Sequence, residues 1–247
     1  SCSNGTPVTT CEQNGDGCCP SNCTASNDLD CTVQPNCQAI KSTIPASQDG
    51  VYTIDPDLSG PIQQMQVWCD MSTDGGGWTL VSKISSGEVG PRAECVWGLG
   101  HGYAASGATL DRAAASVPYA NAIPTHLWNG NGFNVSEAMI DLSTSGTVAR
   151  RLQFDASTSD WLSWFSAANL TSSPWTDIAT EPQNYFTIGF GGGLNRDFYL
   201  NRNWGGCNSD AGWMVVDLET RCAFENNDPN GEPTIRYAAG TTYENWN

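Results

Sequence analysis

The chain has 247 residues, 39% of them hydrophobic and ten of them tryptophan, enough for one large domain or one domain beside a small module. Its formal charge is −16, which sets it against nucleic acid and anionic membranes, since their phosphates would repel it. Apolar runs such as Trp213-Met214-Val215-Val216 are far too short to cross a bilayer. Eleven cysteines in a background rich in Gly, Asn, Ser and Thr point to an oxidising compartment. A reduced zinc protein would need clustered Cys/His quartets, and His101 and His126 are the only histidines. Secretion is therefore expected, and Ser1 directly before Cys2 fits a chain whose targeting segment has been removed. The acid excess is compatible with calcium, which takes hard oxygen ligands, and equally with solubility alone.

Residues 1–36 hold six cysteines, Cys2, Cys11, Cys18, Cys19, Cys23 and Cys31, with no Lys or Arg and almost no aliphatic residue. Such a segment cannot bury enough apolar area to fold by a core, so disulfides must hold it. Six cysteines allow about 15 connectivities, and the sequence does not choose among them. "NGDG" and "NDLDC" can serve tight turns or offer oxygens to calcium. The segment, with its "DGCCPSNC" core, resembles small Cys-rich repeats beside larger secreted domains, which implies a spacer or anchor. Past Pro35-Asn36 the cysteines thin out and tryptophans appear, so a second domain is expected over 37–247.

Within that domain, "GVYTID" and Gln66–Met71 read as strands, and Trp78–Ile84 alternates with Trp78, Leu80 and Ile84 on one face and Thr79 and Lys83 on the other. Asp74-Gly75-Gly76-Gly77 between them supplies positive φ at no steric cost and closes a hairpin. A phosphate cradle is the weaker reading, because no helix pattern follows. "TVARRLQFD" (147–155) reads as a strand. "SDWLSWFSAANL" (159–170) repeats apolar residues at 161, 164, 165 and 168 after a Ser-Asp start signal, which predicts a short helix. "NYFTIGFG" (184–191) is strand-like and runs into glycines. Short helices, strands and long loops together give an α+β domain.

No G-x-S-x-G elbow, H-E-x-x-H helix or Walker loop is present. "GFGGGL" (189–194) lacks the helix opening and acidic partner of a dinucleotide site. His101 and His126 are isolated, and no pair among the 26 acids stands out as a glycosidase couple. On these residues alone a secreted hydrolase stands as a third reading; the non-catalytic reading comes from a family resemblance.

The ordered set of a cysteine, "GVY", "CDM" and "DGGGWT" resembles the start of a fibrinogen-related domain, and "GGCNSDAGWMVVDLETRC" (205–222) resembles that family's C-terminal cysteine pair. The resemblance implies a fibrinogen C-terminal-like fold of twisted antiparallel sheets, short helices and long loops. It also implies the disulfides Cys37–Cys69 and Cys207–Cys222. Cys95 is then left over, to bond another chain, reach the N-terminal module or stay a buried thiol. The "CDM…GGGWTLV" stretch is also similar to the intelectin-like branch, whose calcium-borne diol recognition finds no further match in this tail.

Family members are mostly recognition modules for sugars or acetylated groups, often with calcium near an Asp/Asn-rich loop before the first C-terminal cysteine. Here that loop is "NRDFYLNRNWGGC" (195–207), offering Asp197, Asn201 and Asn203, with Asp210, Glu225 and Asp228 as a replacement set; it departs from the family's D-x-D spacing. The resemblance places the ligand pocket around Arg221 and Cys222, with a cis bond between them. Phe224, Tyr237, Tyr243 and Trp246 would stack on a sugar face, and Asn226, Asn227 and Asp228 would bond its hydroxyls. The expected function is a secreted carbohydrate-binding protein, with glycans or glycoconjugates as partners, calcium as cofactor, and a homo-oligomeric state that confers avidity. The rival is a structural subunit that polymerises into an extracellular filament or surface layer through the same domain. Glycosylation sequons stand at Asn4, Asn22, Asn134 and Asn169.

Overall fold

The structure, a computed structural model, describes residue 23, residues 31–84, 119–120 and 128, residues 133–189 and 196–217, residues 222 and 224, and residues 234–246. Cys23 and Cys31 are disulfide-bonded; the other four cysteines of the N-terminal segment, Cys95, His101 and His126 lie outside the described residues.

Helix α1 (Cys37–Thr43) opens the larger unit. Asn36 caps it, accepting a hydrogen bond from the Ala39 N–H at 2.8 Å, and Lys41 stands in its last turn, where a cation suits the helix dipole. Pro45 follows and cannot continue the helix. Strands β1 (Gly50–Ile54) and β2 (Met65–Asp70) pair antiparallel with Tyr52 opposite Val67. Tyr52, Ile54, Val67 and Cys69 point inward at the two-residue period of a strand and pack on Cys37, Ile40 and Met71. The Cys37–Cys69 disulfide fastens α1 to this sheet. Gln34 bridges Ile54, and its carbonyl accepts from the Asp55 N–H, so residues just before the expected boundary are tied to this unit.

The glycines at 75–77 close the bend between β2 and β3 (Trp78–Thr79). Their φ values are 90°, 81° and 93°, in the region that favours glycine. A Cβ on Gly75 would meet nothing within 4 Å, on Gly76 it would lie 2.1 Å from the Met71 carbonyl oxygen, and on Gly77 2.9 Å from the Gln38 Cα. The first glycine thus serves the turn, the second also the chain crossing, and the third also the approach of α1.

The strand expected over 78–84 is instead two. β3 joins β2, whereas β4 (Ser82–Lys83) pairs with β5 (Tyr119–Ala120) in a separate sheet. Residues 78–84 are all half-buried, with Val81 and Ile84 against the main core, and the strand partner changes after Leu80, whose N–H still donates to the Trp68 carbonyl.

β6 (Glu137–Thr144) and β7 (Thr147–Asp155) form a hairpin around Ser145-Gly146, with φ of 51° and 78°, the paired positive values that match strand twist in a two-residue turn. β8 (Leu170–Ser172) adds to β7. No helix forms over 159–170; the segment is a ladder of turns. Asp160 does act as a cap, accepting from the N–H groups of Leu162 and Ser163. One helical bond follows, Trp164 N–H to the Asp160 carbonyl at 3.4 Å. Then the Asn169 amide donates to the Ser163 and Trp164 carbonyls, occupying acceptors that a helix would need. Trp164 and Phe165 are both buried, while Ala168 is exposed, so the apolar spacing records two adjacent anchors rather than a helical stripe.

The C-terminal sheet runs β12-β11-β10-β9, with β13 also on β11; these are β9 (Tyr185–Ile188), β10 (Arg196–Asn203), β11 (Ala211–Asp217), β12 (Thr234–Tyr237) and β13 (Glu244–Asn245). The stretch 195–207 expected as a loop is thus strand through Asn203. β10 lies between two neighbours, so both its edges are paired, and side chains on both its faces are buried. Phe198 and Leu200 pack into the main core with Met214 and Val216, while Tyr199 packs oppositely with Val215. The interspersed Arg and Asn hid a central strand whose buried positions lie on both faces.

Candidate functional site

The loop joining β10 to β11, residues 204–210, sits over the smaller C-terminal core of Tyr199, Val215, Cys222, Phe224 and Trp246. Four ties close it. Cys207 is bonded to Cys222. The N–H groups of Ser209 and Asp210 donate to the Gly206 carbonyl at 2.8 and 3.1 Å. The Asn203 amide donates to the Ser209 carbonyl at 3.0 Å. The Trp246 N–H donates to the Asp210 carbonyl at 3.0 Å, which fastens the chain's last strand beneath. Gly206, at φ 102° with open space where a Cβ would stand, gives the loop its reversal.

Behind the loop, Trp246 lies 6.1 Å from Tyr199 and 5.6 Å from Phe224 between ring centroids, and the Arg236 guanidinium stands over Phe224. Asn201 is fully buried: its amide oxygen accepts from the Tyr185 N–H at 2.7 Å, and its amide nitrogen donates to the Tyr199 hydroxyl at 2.8 Å. Both ends of that amide therefore hold protein, as a buried amide must.

Of the expected metal ligands, Asn201 is committed in this way, and Asn203 stands exposed at the end of β10 with its nitrogen on Ser209. Asp210 is buried, with Oδ2 4.0 Å from the Cys222 sulfur; a disulfide sulfur has no proton to donate, so this is packing. Asp197 lies in β10 with its side chain outside the described set, as are Glu225 and Asp228. No group of three or more His, Cys, Asp or Glu side chains converges among the described residues.

The expected sugar-binding wall is divided. Phe224 and Trp246 are 8% and 1% exposed, so their faces meet protein rather than a sugar: both fill the space under the loop beside Cys222. Tyr237 and Tyr243 lie against the other core. The Tyr237 hydroxyl is 2.6 Å from Thr144 Oγ. Tyr243 stands edge-on to Trp213, its ring faces the Arg202 guanidinium at 4.5 Å, and its N–H donates to Asp177. Arg202 in turn donates to Glu181 at 2.6 Å, and this hydrogen bond holds the guanidinium above its ordinary pKa. Arg221, Asn226, Asn227 and the expected cis bond lie outside the described residues.

Two aromatics that the sequence reading passed over are brought together here. The Trp204 ring lies 5.3 Å from Tyr185 in a T-shaped contact, and Tyr185 stacks on Tyr199 at 5.5 Å. "RNWGGC" carried the available signal, an aromatic before a Gly-Gly reversal next to a cysteine. No helix among the described residues is long and apolar enough to cross a membrane.

Residues 33–107 match the model of the C-terminal globular domain of fibrinogen beta and gamma chains. The chain is 45% identical to mouse angiopoietin-related protein 7 over 40 residues, which are 16% of this chain and 12% of that protein. It is 44% identical to mouse angiopoietin-related protein 1 over 43 residues, 17% of this chain and 8% of that protein. The chain therefore spans only a small part of the length of these curated relatives.

Proposed function

We propose that the chain, whose residues 33–107 match the fibrinogen C-terminal domain model, is an extracellular, non-catalytic recognition protein whose ligand is carbohydrate. The observation that carries this reading is the series Trp204, Tyr185 and Tyr199 at the start of the disulfide-pinned loop 204–210, with the exposed amide of Asn203 directly before Trp204. Sugars present C–H faces beside dense hydroxyls, and aromatic rings with amides at their rim complement both. The two disulfides fit an oxidising environment.

Calcium in this reading rests on Asp197, Glu225 and Asp228, joined by Asn203 and Asp210. If bound, the ion would supply Lewis-acidic contacts to hydroxyl oxygens. The experiment is binding of the chain to a glycan array with calcium and again with EDTA. Binding to a narrow sugar class supports the reading, and its loss in EDTA supports the metal. No binding by folded protein in either condition sinks the lectin assignment.

A second reading, an assembly subunit, is favoured by one feature: β6 and β9 are the end strands of their sheets among the described residues. Strand edges are templates for pairing with another copy. Light scattering on the native protein separates the two readings, since an indefinite polymer supports assembly and a small closed oligomer supports recognition.

A further inference from the structure

Trp204 is 41% exposed. A single exposed aromatic is ordinary on a protein surface; what distinguishes this one is its support. Its ring rests against Tyr185, Tyr185 stacks on the fully buried Tyr199, and Tyr199 packs on Trp246. The buried amide of Asn201 ties the Tyr185 backbone to the Tyr199 hydroxyl. The loop beyond Trp204 is closed by the Cys207–Cys222 bond and by Asn203 on Ser209. The ring is thus set on a series of buried aromatics. Folding has already met the ordering cost that a mobile side chain would incur on binding.

Asn203, directly before Trp204 in the chain, and Asn184, next to Tyr185, are exposed amides, each able to donate and accept. Gly206 has open space where a Cβ would stand, whereas the Ser209 hydroxyl crowds Gly205.

We propose that Trp204, held by Tyr185, is the stacking platform of a binding subsite for a neutral pyranose ring, whose hydroxyls are met by the adjacent amide of Asn203. This rests on the carbohydrate reading above and names a contact residue for it. The negative face of an indole attracts the polarised C–H groups of a sugar. A chain of charge −16 disfavours sialylated or uronic sugars through its overall field. No metal is needed for this contact.

The test uses the full chain on an array of neutral hexose and N-acetylhexosamine oligosaccharides, with sialylated and uronate glycans as a second arm. The best neutral binder is then titrated calorimetrically against wild type, Trp204→Ala and Trp204→Phe. Near-UV circular dichroism and the thermal midpoint check that each variant is folded. The expected result is preference for the neutral arm, a loss of about tenfold or more for Trp204→Ala, and a loss of only about threefold for Trp204→Phe. Wild-type affinity in folded Trp204→Ala overturns the platform while leaving carbohydrate recognition standing. Preference for the acidic arm overturns the neutral ring. No glycan binding by wild type removes both the platform and the recognition reading.

Discussion

Residues 70–79 and residues 155–170 both reverse the chain without an α-helix, and they use different chemistry. The first bend combines backbone freedom, three glycines at positive φ with two of them at crossings where a Cβ would collide, with one buried carboxylate, Asp70, which accepts from the N–H groups of Ser72 and Thr73 and from the Thr73 hydroxyl. The second depends on side chains: Asp155 on Ser157, Asp160 on Leu162 and Ser163, Asn169 on two carbonyls. A glycine bend is rigid because alternatives are blocked. A side-chain bend holds only while its carboxylates and amides keep their partners.

The largest effect should come from removing a covalent staple. Replacing Cys37 and Cys69 with Ser reopens a loop with sequence separation 32, which by chain entropy costs roughly 3.7 kcal/mol. Replacing Cys207 and Cys222, with separation 15, costs roughly 3.0 kcal/mol on the same basis. Urea unfolding of the two double variants measures this, and the reverse order would show that local packing outweighs loop length.

Next come the glycines. Gly76→Ala puts a Cβ 2.1 Å from the Met71 carbonyl oxygen as well as imposing positive φ on an L-residue, and should cost about 3 kcal/mol or more. Gly75→Ala meets open space and carries only the conformational penalty, about 1–2 kcal/mol. Equal losses in denaturant midpoint would mean that the chain crossing at Gly76 relaxes freely, and the contrast between blocked and unblocked turn would fail.

In the second bend, Asp160→Ala removes the acceptor for two backbone N–H groups and the Ser163 hydroxyl. A lost cap of this kind costs about 1–2 kcal/mol. Asp160→Asn, which keeps one amide oxygen, should lose less than half of that. A helix over 159–170 appearing in either variant's amide-to-amide NMR contacts would show that the side chains, rather than the tertiary anchors, had prevented it.

The same contrast explains what could be read from the sequence. "DGGGW" announced its bend because glycine marks positive φ directly, and "CDM" with "GVY" placed the strands and sulfurs around it. "SDWLSWFSAANL" did not announce its turns. Its Asp is a valid helix cap, and its apolar spacing meets the helical template, yet Asn169 reaches back to the Ser163 and Trp164 carbonyls through a contact that no periodicity encodes. The site shows the same limit. Cys207 and Cys222 were legible as a resemblance, but β10 was taken for a loop because Asn201 and Arg202 look solvent-bound, when Asn201 is a buried amide fixing two tyrosines. Phe224 and Trp246 read as a ligand wall because aromatic content does not distinguish a core from a surface. Trp204 was overlooked because its support comes from Tyr185 and Tyr199, on two neighbouring strands.

The smallest effect is the acid sensitivity of the second bend. Asp160 is held below the ordinary aspartate value of 3.8, chiefly by the backbone N–H groups of Ser163 and Leu162. Asp155 is held below it by the Ser157 hydroxyl and N–H. A carboxylate that binds its proton less readily folded than unfolded adds stability fully above its unfolded pKa, and that contribution disappears as pH falls through the lower folded value. The bend should therefore be unchanged from neutral pH down to about 4 and loosen below it. Backbone amide shifts of Ser157, Leu162 and Ser163 report this directly, with midpoints below 3.8. The N–H groups of Gly76 and Gly77 donate to the backbone carbonyls of Thr73 and Asp70, acceptors that do not themselves titrate. In Asp160→Asn the titration of Leu162 and Ser163 should vanish while that of Ser157 persists. If all three persist, Asp160 is not the group holding the turn.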